Sequence, residues 1–179
     1  MNDVDDAGLV KKCLRGDVKS FEILVDKYQK SIFNAALRLC NDSDSAEDIT
    51  QSTFVKAYNK LDSFNPKYKF FSWIYRIVLN EALNYLAQKK KLSDLDDNII
   101  SGEKTPDQVA EQNEINDKIR EALTRIDSNY RILIELRHFQ DFSYSEIGDI
   151  LKIPEKKVKS RLYTARQVLG KVLLKIGIH

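Results

Sequence analysis

Residues 143–169, SYSEIGDILKIPEKKVKSRLYTARQVL, constrain the fold more than any other stretch of the chain. Ser143 and Glu146 have the spacing of a capping box, in which each side chain satisfies a backbone N–H left over at the start of a short helix. Gly148 removes a side chain where a second helix must cross closely, and Pro154 stands near the start of that helix, where its missing N–H costs least. Ile147, Leu151, Ile153, Val158 and Leu162 can form a small shared core. The segment therefore predicts a helix-turn-helix whose second helix exposes Lys156, Lys157, Lys159, Ser160, Tyr163 and Arg166. Residues 152–175 carry eight basic side chains against Glu155 alone, so this helix can hold phosphates and offer polar groups to a major groove. The alternative, a solvated basic helix in an ordinary bundle, explains so one-sided a charge less well.

The rest of the chain is also helical in pattern. Only three prolines and six glycines interrupt 179 residues, enough for one ordinary domain or two small ones. Phe21, Leu24, Val25, Tyr28, Ile32, Ala35, Ala36 and Leu39 mark one face of an amphipathic helix. Residues 41–44 break it, and Ser45 can cap a new helix from Ala46 to Leu61, with Phe54, Ala57, Tyr58 and Leu61 as its buried stripe. The Asn65-Pro66 turn separates this from a helical pattern over Phe71–Lys89. Residues 92–113 are acidic and polar, contain Thr105-Pro106 and show no sustained apolar period. Periodicity returns with Ile115, Ile119, Ala122, Leu123 and Ile126, then Tyr130–Phe139. The expectation is an all-α chain of two small helical domains, residues 1–91 and 114–179, joined by an acidic linker.

Charge divides along the same lines. Residues 1–62 hold nine basic and eleven acidic side chains, residues 63–92 six and one, residues 93–117 one and eight, and residues 118–179 thirteen and seven. The net values are −2, +5, −7 and +6, which suggests two polyanion contacts joined by a segment that avoids nucleic acid. In the first basic block, six of the twelve residues from Phe64 to Tyr75 are aromatic, interleaved with Lys67, Lys69 and, just beyond, Arg76. Rings can stack on unpaired bases while cations hold the backbone. Ser72, Arg76, Asn80, Asn84 and Gln88 follow as a polar stripe every four residues. It reads equally as a base-contacting face or as the wet side of the helix.

Other classes fit poorly. No run approaches eighteen apolar residues, and the acidic N-terminus lacks a secretory signal, so a cytoplasmic protein without membrane insertion is expected. Cys13 and Cys40 lie in apolar patterns and read as reduced core residues. His138 and His179 are far apart, there is no phosphate-cradling glycine loop, and Asp96-Asp97 falls in the linker. No catalytic site, metal or cofactor is expected.

Taken in order, segments 46–61, 63–80 and 143–169 resemble the extracytoplasmic-function sigma factors of the sigma-70 superfamily, over nearly the whole chain. The resemblance implies a region 2-like bundle at 1–91 and a region 4-like helix-turn-helix domain at 114–179. In that family the helix matching Ala46–Leu61 docks on the clamp coiled coil of the largest polymerase subunit. Asp48, Gln51, Ser52 and Lys56 thus become polymerase-binding candidates; Asp48 and Gln51 match usual polar contacts, and Ser52 stands where a glutamate is common. The segment matching Asp62–Lys91 melts and reads the −10 element, with a flipped base held in a loop pocket. It nominates Phe64, Lys67, Tyr68, Lys69, Phe70, Ser72, Arg76, Asn80 and Asn84. Asn80 matches a base-reading asparagine, and Trp73 and Tyr75 match family aromatics. The helix-turn-helix is similar to the −35 reader, which nominates Lys156, Lys157, Lys159, Ser160, Arg161, Tyr163, Thr164 and Arg166. Lys156-Lys157 departs from a common Gly-Thr pair and Thr164 from a common arginine, which changes hydrogen-bond capacity at the groove. The implied partners are core RNA polymerase, promoter DNA (duplex at −35, melted non-template strand at −10) and an anti-sigma factor. A conventional helix-turn-helix transcriptional regulator with a helical sensing or dimerising N-terminal domain is the alternative, but it does not require the aromatic, basic loop at 64–76.

Overall fold

The computed structural model describes residues 5–93 and 112–177, and all regular structure among them is helical. The first half comprises α1 (Asp6–Cys13), α2 (Lys19–Cys40), α3 (Ser43–Asn59) and α4 (Phe70–Ser93). Leu24, Ile32, Ala35, Ala36 and Leu39 bury one stripe of α2 against α3 and α4. Cys13 and Cys40 are free thiols buried in this bundle, and burial pushes Cys40 up to about 12.

The turn into α3 differs from the expected one. Asn41 ends α2 in the left-handed conformation, φ 54°, which asparagine tolerates better than most residues. That places Asp42, not Ser45, at the cap: its carboxylate accepts from both the N–H and the hydroxyl of Ser45, and the helix starts at Ser43. These two hydrogen bonds, from the hydroxyl first, hold the Asp42 carboxyl below its ordinary range. At the other end α3 stops at Asn59, and Leu61 stays buried by entering a 3-10 turn, Leu61–Ser63, rather than extending the helix. Tyr58, expected in the buried stripe, is 44% exposed and meets Phe21 edge-on. The following loop is pinned by Asn65, whose side chain accepts from the Lys67 N–H and whose carbonyl accepts from the Tyr68 N–H.

The second half comprises α5 (Gln112–Thr124), α6 (Ser128–Ile134), α7 (Tyr144–Leu151) and α8 (Glu155–Lys175), with a π-helical turn, Glu135–Phe139, continuing α6. The capping box at Ser143 and Glu146 is fully formed. Gly148 fits because a Cβ there would lie 2.8 Å from the Ile153 carbonyl oxygen. Lys152 in the left-handed conformation and Pro154 at the cap of α8 complete the turn. Helix α4 runs through Ser93 and α5 begins at Gln112, so helix enters the expected linker from both sides; residues 94–111 lie outside the described residues.

The two halves touch. Phe142 stacks on Phe71 with ring centroids 5.6 Å apart and meets Tyr75 edge-on at 5.4 Å. Arg131, 8% exposed, donates to the Leu123 and Thr124 carbonyls ending α5 and also to the Leu39 carbonyl ending α2. Its fork geometry suits such a cluster of helix C-terminal acceptors. Glu135, 1% exposed, accepts from Arg38 at 2.5 and 2.9 Å, from the Tyr75 hydroxyl at 3.0 Å and from Gln140 at 3.0 Å.

Candidate nucleic-acid and polymerase interfaces

Helix α8 sorts its residues by face. Val158, Leu162 and Ala165 point inward, while Lys156, Lys157, Lys159, Ser160, Arg161, Tyr163, Thr164 and Arg166 are all exposed. Tyr163 is 66% exposed with its ring free of the core. Lys159 pairs with Glu155 at 2.7 Å, a hydrogen bond that raises its pKa, and lies over the Tyr144 ring. The Thr164 hydroxyl donates to the Ser160 carbonyl at 3.3 Å, leaving its lone pairs as the available function. Arg166 donates to His138 Nε2 at 3.1 Å. Burial, then the cations Arg166 and Arg137, lower the His138 pKa, so a neutral imidazole positions this arginine. Nothing in the local sequence pattern marks His138 for this part.

The aromatic loop and α4 line a cleft of about 560 Å³ whose opposite wall is α7, through Glu146, Asp149 and Ile150. Tyr68 is 59% exposed, and Lys67 and Lys69 are exposed on the same loop. Phe64 and Phe70 correct the expectation of stacking rings: at 8% and 1% exposure they pack edge-on against each other, and each also meets Trp73. Their rings form the floor that holds the loop, because the 3-10 turn and the start of α4 both aim them inward. The polar stripe divides in two. Ser72 and Arg76 are half-buried at the cleft, Arg76 donating to the Asp149 carbonyl at 2.7 Å. Ser72 Oγ and Arg76 Nε are buried there without a protein partner. Asn80, Asn84 and Gln88 are exposed further along α4. The Glu146 carboxyl is raised by burial but held lower overall by hydrogen bonds from Lys69 and Ser143.

On α3, Asp48 and Gln51 are exposed, and Gln51 borders a shallow groove against Gln29, Lys30 and Phe33 of α2. Ser52 and Lys56 behave differently from expectation, being drawn to Glu81 of α4 at 2.9 and 2.5 Å. Burial works to raise the Glu81 pKa, but these two bonds outweigh it. Ser52 and Lys56 thus brace α3 against α4, and Asp48 and Gln51 remain the freer polar groups of that face. Arg38, Arg131 and Glu135 escaped the sequence reading. The available signal was two charges four residues apart, Arg131 and Glu135, inside the apolar run RILIEL.

Comparison with known proteins places the chain in a family. Residues 24–92 match the family described as Sigma-70 region 2, and residues 116–169 match Sigma-70, region 4. The chain is 31% identical to RNA polymerase sigma-H factor of Pseudomonas aeruginosa, over 94% of this chain and 93% of that one. It is 31% identical to ECF RNA polymerase sigma factor SigW of Bacillus subtilis, over 92% and 94%. It is 32% identical to ECF RNA polymerase sigma-E factor of Escherichia coli, over 92% of each. Among solved structures it is similar to the sigma factor RpoE of Bartonella quintana, determined with the anti-sigma factor NepR, with TM-score 0.72, 26% identity and coverage of 87% and 97%. CnrH, determined with the cytosolic domain of CnrY, shares the fold with TM-score 0.70 at 24% identity, over 96% and 97%.

Proposed function

The chain belongs to the extracytoplasmic-function sigma factors of the sigma-70 family, and on that premise we propose how its surfaces divide the work of promoter recognition. As a sigma factor it acts with core RNA polymerase and directs promoter-specific initiation. Its relatives are initiation factors rather than enzymes. Residues 1–91 form the unit that meets the polymerase clamp and the −10 element, residues 114–179 the unit that meets the −35 element, and residues 92–113 connect them.

The observation that carries this reading is α8. Its apolar stripe faces the helix-turn-helix core while all eight nominated polar residues face outward. Lys156, Lys157, Arg161 and Arg166 supply phosphate affinity, and Lys159, Ser160, Tyr163 and Thr164 face base edges in duplex −35 DNA. At the −10 element the melted non-template strand enters the cleft beside Tyr68. Lys67, Lys69 and Arg76 hold its backbone, Ser72 and Arg76 offer buried polar atoms to an unpaired base, and Asn80 and Asn84 continue along the strand. Asp48 and Gln51 dock the polymerase, since an acidic leading edge repels DNA.

Like its sigma-factor relatives, the protein is read as a cytoplasmic initiation subunit without its own catalytic site. No helix among the described residues is long and apolar enough to cross a membrane. RpoE's complex with NepR supports an anti-sigma partner for this chain as well. Binding of the double variant Asp48→Ala, Gln51→Ala to core polymerase tests the division of labour. Weaker assembly with unchanged helicity is expected, and unchanged core affinity would remove the assignment of this face.

A further inference from the structure

The π-helical turn Glu135–Phe139 is held on both sides of His138. Glu135, buried, accepts from the Gln140 amide at 3.0 Å. Arg137 donates to the Phe142 carbonyl at 3.0 Å and lies over the Tyr144 ring. Turns of this kind shift the helix register, re-aim side chains and recur at functional sites. Here the side chain aimed is His138, exposed, whose Nε2 accepts from Arg166 Nε of α8 at 3.1 Å. A guanidinium bound through Nε keeps both terminal nitrogens, and those of Arg166 have no partner among the described residues. They form the fork that grips two oxygens of one phosphate. Holding a long, rotamer-rich side chain in place beforehand lowers the ordering cost of that grip.

We infer that His138 makes −35 recognition by this chain sensitive to protons: the neutral imidazole holds Arg166 ready for a phosphate, and the imidazolium releases it. This rests on the proposed placing of Arg166 at the −35 duplex. A neutral ring has one acceptor nitrogen, and protonation turns that nitrogen into a donor facing a cation. The charged groups around the ring are Arg166 from α8, Arg137 from its own turn and Asp141 just beyond it. Burial and the two arginines lower the His138 pKa against a smaller opposing pull from Asp141. The neutral form therefore prevails at neutral pH, and the change falls below the ordinary value of 6.5. His138 is a positioning residue: it acts through Arg166 and makes no DNA contact itself.

The test uses holoenzyme containing the full chain, with a short fluorescent duplex carrying the upstream sequence that this holoenzyme enriches from a randomised template library. At neutral pH and fixed ionic strength, His138→Phe, which cannot accept, should weaken binding about two- to tenfold, the net effect of one hydrogen bond. His138→Gln sets an amide oxygen as many bonds from Cβ as Nε2 and should restore most of that loss. As pH falls from about 7.5 to about 5.5, wild type should lose affinity relative to His138→Gln and approach His138→Phe. His179 is common to all three proteins and cancels. In an Arg166→Ala background His138→Phe should cost nothing further, because its only route to DNA is gone. Equal binding by wild type and His138→Phe, or an undiminished cost in that background, overturns the positioning role. Wild type that tightens in acid relative to His138→Gln overturns it as well, since the imidazolium would then hold phosphate itself. A second measurement needs no DNA. In the free full chain, the NMR titration of His138 should move to higher pH in Arg166→Ala, and an unmoved titration overturns the contact. If that shift is seen but Arg166→Ala leaves duplex affinity unchanged, the −35 assignment of Arg166 has failed and the proton link falls with it.

Discussion

Gly148→Ala isolates the one position where the helix-turn-helix depends on having no side chain. A Cβ there would stand 2.8 Å from the Ile153 carbonyl oxygen and 3.7 Å from the Glu155 nitrogen, both backbone atoms that cannot rotate away. Relieving the contact means moving the turn between α7 and α8, and overpacking of this kind costs about 1–3 kcal/mol. Alanine recovers about 0.5–1 kcal/mol of helix propensity, leaving a net loss of about 0–2.5 kcal/mol. For a chain of this size that corresponds to a fall in melting temperature of up to about 10 °C. Because α8 is carried by the displaced turn, affinity for a −35 duplex in the holoenzyme should fall as well. Thermal unfolding followed by circular dichroism, with DNA binding measured on the same samples, reads both effects. A variant that melts higher than wild type would refute the argument from close approach, since propensity would then have won.

Asp42→Ala should lose about 0.5–2 kcal/mol by uncapping α3, measured by urea denaturation. The lowered Asp42 pKa means its contribution is present above the ordinary carboxylate range and is lost as pH falls through the folded value; the deficit of the variant should therefore shrink in acid. Replacing Lys156 and Lys157 together by alanine should lower the salt slope of −35 binding by up to about one unit per lost phosphate contact; an unchanged slope contradicts their role. Asn80→Ala should erase roughly 1–3 kcal/mol of discrimination at one −10 base if the amide makes a bidentate contact. Core affinity should survive, and identical base preferences would make Asn80 ordinary solvated surface.

The helix-turn-helix was legible because every signal in it is local: a capping pair three residues apart, one glycine, one proline and a stripe at helical spacing. The same holds for the outward face of α8, where Val158 and Leu162 leave the lysines no direction but solvent. The α2–α3 turn was misread because Asp42, Ser43 and Ser45 can all cap a helix, and the choice is made by Asn41 turning left-handed just before them. Phe64 and Phe70 were misread because an aromatic beside a lysine looks alike whether it faces solvent or core; the 3-10 turn that aims Phe64 inward has no clear sequence mark. The Arg38–Glu135 contact joins residues 97 positions apart and leaves no period at all. Only the presence of Arg131 and Glu135 in an apolar run pointed toward a buried polar cluster, without naming its partners.

On the proposed reading, this chain gives core polymerase a two-part promoter preference, one part from α8 and one from the α4 cleft. Core enzyme reconstituted with the full chain should be offered a template library randomised through both elements, and the 5′ ends of all transcripts sequenced. Initiation should depend on the chain and enrich two separated blocks. Alanine at Lys159, Ser160 and Tyr163 should relax the upstream block alone, and alanine at Asn80 the downstream block alone. Transcripts that begin at the same sites with and without the chain, or a preference confined to one block and indifferent to α8, would contradict it.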